Sequence, residues 1–290
     1  MTGDDAVTPN PMYDALSDAL RADAPVALAT VIATDRDPDA SAPAATIVGA
    51  KLLVRPDAPL IGTLGDPDLD RVVARDALGE LESGITVTRH YGRHGEARER
   101  EVDVFIECFA PQPHMIIFGA VDFTAALVRA GKMLGFRVTV CDAREVFATA
   151  RRFPTADEVV CSWPDRYLAT VEQHLGPRDA VCVLTHDAKF DVPAIITALA
   201  TRVGYLGAMG SRRTHAKRVE RLRELGVPDA DLERVMAPIG LDIGARTPEE
   251  TAVAICAEII ALRTGRAAPS LRDGDGPIHR PAPVPASPRP

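Results

Sequence analysis

Residues 114–142, HMIIFGAVDFTAALVRAGKMLGFRVTVCD, decide the fold. They open on an unbroken apolar run, HMIIFG, which reads as a strand buried on both faces. Gly119 ends that run, residues 123–134 read as a helix, and residues 136–141 read as a second strand closed by Asp142. This is the layout of a dinucleotide-binding unit. The first glycine makes the turn, and a carboxylate 23 residues later, here Asp142, accepts hydrogen bonds from a ribose. The pattern G-x-G-x-x-G is nevertheless broken, with Val121 at its second glycine position and Thr124 at its third. A side chain at the second position fills space that a pyrophosphate would need. Asp122 sets a negative charge at a helix N-terminus that would otherwise favour phosphate. The expectation is a Rossmann-type scaffold with an altered cofactor site, and NAD(P) binding is disfavoured.

Downstream, short apolar strands over 158–161, 179–184 and 203–206 alternate with helices over 164–174, 192–200 and 211–225. Thr247-Pro248-Glu249-Glu250 is a capping box that starts a last helix running to about Leu262. Such alternation with short connections implies an α/β fold, a parallel sheet with helices on both faces. Upstream, the first dozen residues are polar and read as frayed. A helix over 13–21, strands over 26–34 and 46–54, and a loop over 35–44 follow. A helix capped by Asp66 ends at Gly84, and strands over 85–91 and 102–108 complete a smaller α+β unit. Pro111-Gln112-Pro113 reads as a linker. The chain thus divides into 1–110, an α+β domain; 111–265, a Rossmann-like domain; and 266–290, a Pro- and Ala-rich tail that reads as disordered.

Composition narrows the functional classes. Hydrophobic residues make up 46% of the chain but aromatics only 4%, so the core must be largely aliphatic. A net charge of -8 argues against a general nucleic-acid or anionic-membrane binder. No apolar run approaches the ~20 residues of a membrane span. The five cysteines include no pair spaced for zinc or redox work, and those in VTVCD, EVVCS and AVCVL read as buried thiols. Their odd number, with no signal peptide, points to the reducing cytoplasm.

Ligands of open α/β sheets gather at the carboxyl ends of strands. Thr185, His186 and Asp187 follow one strand and offer a hydroxyl, an imidazole and a carboxylate; a plain helix cap is the alternative. After another strand, small residues lead into Gly210, Ser211, Arg212 and Arg213. They form a phosphate or pterin-phosphate cradle, or simply a capped helix with exposed basic residues. Asp242 lies between Gly240 and Gly244 in an apolar loop, where a carboxylate must be hydrogen-bonded or face a ligand.

THDAKFD (185–191), YLGAMGSRRTHAKR (205–218) and APIGLDIGARTPEETAVAICAEII (237–260) together resemble the xanthine dehydrogenase accessory factor (XdhC/CoxI) family. VALATVIAT (26–34) and VGAKLLVRPDAPLIGTLGD (48–66) look like that family's smaller first domain. The resemblance implies binding of the molybdenum cofactor (molybdopterin) and help with its sulfuration. It also implies delivery to an apo molybdenum hydroxylase, self-association as a homodimer, and a cysteine desulfurase-type sulfurtransferase partner. It implies no independent turnover, so no residue receives a catalytic role and no metal ligands are assigned. The cofactor-binding expectation falls on Gly119, Asp142, Thr185, His186, Asp187, Gly210, Ser211, Arg212, Arg213 and Asp242. The chain departs from the family in two places. Gly62-Thr63-Leu64-Gly65 runs into Asp66 where the family carries a glycine pair and a cysteine, and Val121-Asp122 replaces a Gly and a His. Two other readings remain open: an NAD(P)-dependent oxidoreductase using Gly119 and Asp142, and a ligand-free docking protein for the hydroxylase.

Overall fold

The structure, a computed structural model, describes residues 10–35, 46–96 and 99–273. The expected frayed start falls mainly before residue 10. Most of the expected loop at 35–44, and the tail from residue 274 on, also lie outside the described residues. The chain forms two compact units that divide between Pro111 and Gln112.

The first unit contains α1 (Pro11–Arg21), β1 (Val26–Thr34), β2 (Lys51–Val54), β3 (Ile61–Thr63), α2 (Pro67–Ser83), β4 (Val87–Tyr91) and β5 (Val102–Phe109). Its antiparallel sheet has the order β3-β2-β1-β5-β4. Alternation along β1 feeds both faces. Ala27, Ala29 and Val31 join the core under α2, and Val26 packs with Ala19 of α1 and Leu53. β2 starts at Lys51 and not at Thr46, because residues 47–50 form a turn with Gly49 at φ +92°. β3 escaped the sequence reading, since three residues with a glycine at their centre carry no period.

The second unit contains β6 (His114–Phe118), α3 (Asp122–Met133), β7 (Arg137–Cys141), β8 (Glu158–Val160), α4 (Pro164–Val171), β9 (Ala180–Val183), α5 (Ala188–Leu199), β10 (Tyr205–Ala208), α6 (Arg212–Glu224), α7 (Asp229–Leu232), β11 (Val235–Met236) and α8 (Pro248–Arg263). The sheet order is β11-β10-β9-β6-β7-β8 and every pairing is parallel. Met115 and Ile117 of β6 point into a core shared with α3 and α8, and Ile116 and Phe118 into one shared with α4, α5 and α6. That two-faced burial explains the unbroken apolar run of β6. The α/β expectation therefore holds: helices cover both faces of a parallel sheet in the second unit, and the first unit is α+β.

Boundaries differ at two strand ends near the site. α5 begins at Ala188, not Val192, because Asp187 caps it and the helix continues through Pro193. β10 covers Tyr205–Ala208, so Gly207 and Ala208 are strand, not turn. Among the cysteines, Cys141, Cys182 and Cys256 are buried, and Cys108 is half-buried. Cys161, expected inside, is exposed because β8 ends one residue before it. Among the described residues, no helix is long and apolar enough to cross a membrane.

Candidate functional site

Strand order reverses direction between β6 and β9, so the crevice at their carboxyl ends is a topological switch point. Gly119 lies there at φ +109°, and its backbone passes so close to β9 that a Cβ would stand 2.8 Å from Thr185 Cγ2 and 3.1 Å from Thr185 N. Glycine at 119 is a requirement of this contact as well as of the turn.

The turn after Gly119 is tied down by its own neighbours. The Ala120 N–H donates to Asp142 Oδ2 at 2.8 Å, and the Val121 N–H donates to Thr124 Oγ1 at 3.2 Å. The Thr124 hydroxyl donates to the Gly119 carbonyl, and Arg152 Nη1 donates to the Ala120 carbonyl at 2.9 Å. Two N–H groups that a pyrophosphate would use are thus already bonded. Asp142 is 3% exposed and also accepts from Arg144: the backbone N–H and Nε reach Oδ1, both at 2.9 Å, and Nη2 reaches Oδ2 at 2.7 Å. Burial alone would raise this carboxyl. The Arg144 side chain and the Ala120 and Arg144 N–H groups outweigh it and hold Asp142 below the usual carboxylate range. Arg144 in turn lies over the Phe147 ring, 4.5 Å from its centroid.

On the other side of the switch point, buried Thr185 donates its hydroxyl to Asp191 Oδ1. Asp191 Oδ2 accepts from Arg218 Nη2 at 2.8 Å, and the same Nη2 donates to the Met209 carbonyl at 2.9 Å. One guanidinium of α6 therefore fastens the end of β10 to the start of α5. Burial pushes the Asp191 carboxyl up, against the Thr185 and Arg218 bonds that pull it down. Arg218 Nη1 and His215 Nδ1 are buried without a hydrogen-bond partner among the described residues.

Exposed groups surround this network. His186 and Asp187 are exposed, and Asp187 accepts from the Lys189 N–H at 3.1 Å as the cap of α5. That bond leads the causes that lower the Asp187 carboxyl, and the Arg144 charge contributes. Gly210 has φ +140°, and the Ser211 hydroxyl caps α6 by accepting from the Thr214 N–H at 3.1 Å. Arg212 and Arg213 project into solvent with no partner among the described residues. The apolar neighbours of Asp242 do not enclose it. The loop after β11 is surface, with Ile243 55% exposed, so solvent satisfies the Asp242 carboxylate and no buried bond is required. Gly240 anchors that loop, its N–H donating to Glu258 Oε2 at 2.9 Å, beside the 2.6 Å bond from Tyr205.

The structure therefore joins Gly119 to Thr185 by contact. Asp142 is bonded to Arg144 and Thr185 to Asp191, neither of which the sequence singled out; Arg152 joins through the Ala120 carbonyl and Arg218 through Asp191. Asp242 makes no hydrogen bond or ion pair with the other candidates. Asp191 and Arg218 lay inside the quoted segments THDAKFD and YLGAMGSRRTHAKR, but nothing in spacing marked them as partners 27 residues apart.

In the first unit, Gly62 and Thr63 belong to β3, and Asp66 is the cap of α2. Asp66 Oδ1 accepts from the Asp68 and Leu69 N–H groups, and Oδ2 pairs with His94 Nδ1 at 2.8 Å. The Leu69 bond leads in lowering the Asp66 carboxyl, and the Asp66 bond leads in raising His94.

Residues 115–259 match the family model described as the XdhC Rossmann domain, and residues 19–92 match that of the XdhC and CoxI family. A protein of Bacillus subtilis (strain 168) described as a probable xanthine dehydrogenase component is 34% identical over 165 residues, which are 57% of this chain and 47% of that protein. The molybdenum cofactor insertion chaperone PaoD of Escherichia coli (strain K12) is 32% identical over 99 residues, 34% of this chain and 31% of that protein. The matched stretches thus span less than half of either relative. A solved structure of a xanthine dehydrogenase from Bacillus halodurans has a TM-score of 0.49 at 20% identity, covering 89% of this chain and 97% of that one. The first model covers half of the chain, from β6 into α8, and includes Gly119, Asp142 and each strand-end candidate from Thr185 to Asp242. The chain belongs to the XdhC and CoxI family.

Proposed function

We propose that this chain binds the molybdenum cofactor at the carboxyl edge of the parallel sheet and assists its sulfuration and insertion into an apo xanthine dehydrogenase-type molybdenum hydroxylase. The observation that carries this reading is the convergence of segments. The loops after β9, β10 and β11, which hold the residues resembling the family, all open on the same edge as Gly119. The names of the two relatives, a cofactor insertion chaperone and a xanthine dehydrogenase component, support it. The donors on that edge suit the organic part of such a cofactor. Hydroxyl and guanidinium groups at Ser211, Arg212 and Arg213 meet oxygens and phosphate, and His186 with Asp187 lines the neighbouring loop. When bound, the cofactor would supply the redox-active metal. The chain's own residues hold and orient it, and His186, Asp187 and Asp242 stay exposed beside it. A homodimer and a cysteine desulfurase-type partner belong to the same proposal.

The strand order and Gly119 favour a second reading, a nicotinamide dinucleotide in the switch-point crevice, and the bonded Ala120 and Val121 N–H groups weigh against it. One experiment separates the readings. The full chain is purified from a cofactor-competent host and titrated by fluorescence with molybdenum cofactor and, in parallel, with NAD(H). Saturable pterin binding, followed by activation of an apo-hydroxylase, is the expected result. NAD(H) binding without pterin would replace the proposal with an oxidoreductase. Recovery of the hydroxylase with neither ligand bound would replace it with a docking protein.

A further inference from the structure

α8 is apolar on its solvent side as well as on its core side. Ala252, Ile255, Cys256 and Ile259 fill the core shared with β6 and α3. Val253, Ala257 and Ile260 follow the spacing i, i+4, i+7 and so line one outer stripe, where Val253 is 53% exposed, Ile260 38% exposed and Ala257 half-buried. A helix that faces water sets polar and charged residues there, as α6 does with exposed Arg213, Lys217, Glu220 and Glu224. Between Glu250 and Arg263 the single charged residue of α8 is Glu258, and it is turned inward, accepting from the Tyr205 hydroxyl and the Gly240 N–H. The other charges sit at the ends: Glu249 and Glu250 in the first turn, Arg263 in the last. An apolar stripe with opposite charges at its two ends is complementary to its own reverse.

We propose that this stripe of α8 is the contact between two copies of the chain, the two helices crossing antiparallel about a two-fold axis near Ala257. Val253 of one copy then lies on Ile260 of the second, and Glu249 and Glu250 lie beside the second copy's Arg263. The small side chain of Ala257 at the crossing lets the two helix axes come close. A parallel crossing would set Glu on Glu, Arg on Arg and the two helix dipoles side by side, so the charge pattern selects the antiparallel one. Glu249 meets Arg129 at 2.9 Å through Oε1, and both side chains are mostly exposed, so its second oxygen can receive an arriving guanidinium. The contact is isologous and closes at two copies, with no free patch left to extend a chain of subunits. It rests on the homodimer of the reading above and gives that homodimer a surface.

The test is sedimentation equilibrium of the full chain at micromolar concentration, with far-ultraviolet circular dichroism to check that each variant folds. Wild type is expected as a dimer. The double variant Val253→Glu/Ile260→Glu, confined to exposed side chains, should keep the wild-type dichroism and raise the dissociation constant about a hundredfold or more, since it sets carboxylates where apolar side chains meet. Glu249→Lys and Arg263→Glu should each weaken the dimer about tenfold, and Glu249→Lys/Arg263→Glu, which exchanges the charges at unchanged net charge, should recover it. A monomeric wild type, or a dimer that survives Val253→Glu/Ile260→Glu, overturns the interface. If that variant stays dimeric but no longer captures the hydroxylase, the stripe belongs to the hydroxylase and not to a second copy. Failure of the charge exchange to restore the dimer overturns the antiparallel crossing. Titrating the same samples with molybdenum cofactor separates this inference from the cofactor reading. A monomeric chain that takes up pterin removes the interface alone, and a dimer broken by the variants in a chain that binds no pterin removes the cofactor reading alone.

Discussion

Arg144 clasps Asp142 from two residues away, its Nε 2.9 Å from Oδ1 and its Nη2 2.7 Å from Oδ2. The carboxylate that the sequence offers to a ribose therefore already serves as an internal bracket, holding Ala120 on one side and Arg144 on the other.

The first prediction follows from that bracket. Asp142→Ala leaves the buried Ala120 N–H without an acceptor and should lower the unfolding free energy of the ligand-free chain by about 1–3 kcal/mol in urea denaturation. Arg144→Ala should cost less, since its side chain is 45% exposed. A carboxylate waiting only for ribose would show no such loss without ligand. The pH dependence has a definite sign. The folded value lies below the ordinary one, so the contribution is complete above about pH 4 and disappears as pH falls through the folded value.

Gly119→Ala makes a second test. Its φ of +109° and the 2.8 Å approach to Thr185 Cγ2 leave no room for a methyl group. The expected loss is about 1–3 kcal/mol. An unchanged denaturation midpoint would contradict the close packing of β6 against β9.

A third prediction concerns Asp66 and His94. Nuclear magnetic resonance should find His94 titrating above 6.5, and Asp66→Asn should bring it back towards the ordinary value of about 6.5. Asparagine caps a helix nearly as well as aspartate, so α2 should persist. Because the folded value is raised, the stabilisation is complete below about pH 6.5 and fades as pH rises through the folded value. An unshifted His94 would mean that the pair does not form in solution.

The cysteines supply a fourth. Ellman's reagent should modify Cys161 rapidly in the folded chain and reach the buried thiols only after denaturation. Burial pushes Cys141 up to about 12 and Cys108 and Cys256 to about 11, which keeps the nucleophilic thiolate scarce. Cys161→Ser should abolish the fast phase.

Local chemistry was legible in the sequence wherever one segment contains the whole cause. Asp66 and Gly84 bound α2, Thr247 and Glu250 cap α8 reciprocally, and the apolar run of β6 declares a strand buried on both faces. The strands β3 and β11 are too short to show a period, and they exist because neighbours pair with them. The site was legible as a set of strand ends but not as a network. Arg152 reaches Ala120 across 32 residues, and Arg218 reaches Asp191 across 27, so only the topology brings them together. Asp242 misled because apolar neighbours in sequence do not guarantee burial.

The bracket around Ala120 has a consequence for whatever docks on this edge. Asp142, Thr124 and Arg152 hold the β6–α3 turn in one shape before any ligand arrives, so little conformational entropy remains to be lost there on binding. The same bonds make the turn a poor reader of ligand identity, since its N–H groups are already taken. On the proposed reading, discrimination falls to the outer loops, where His186, Asp187, Arg212 and Arg213 are exposed.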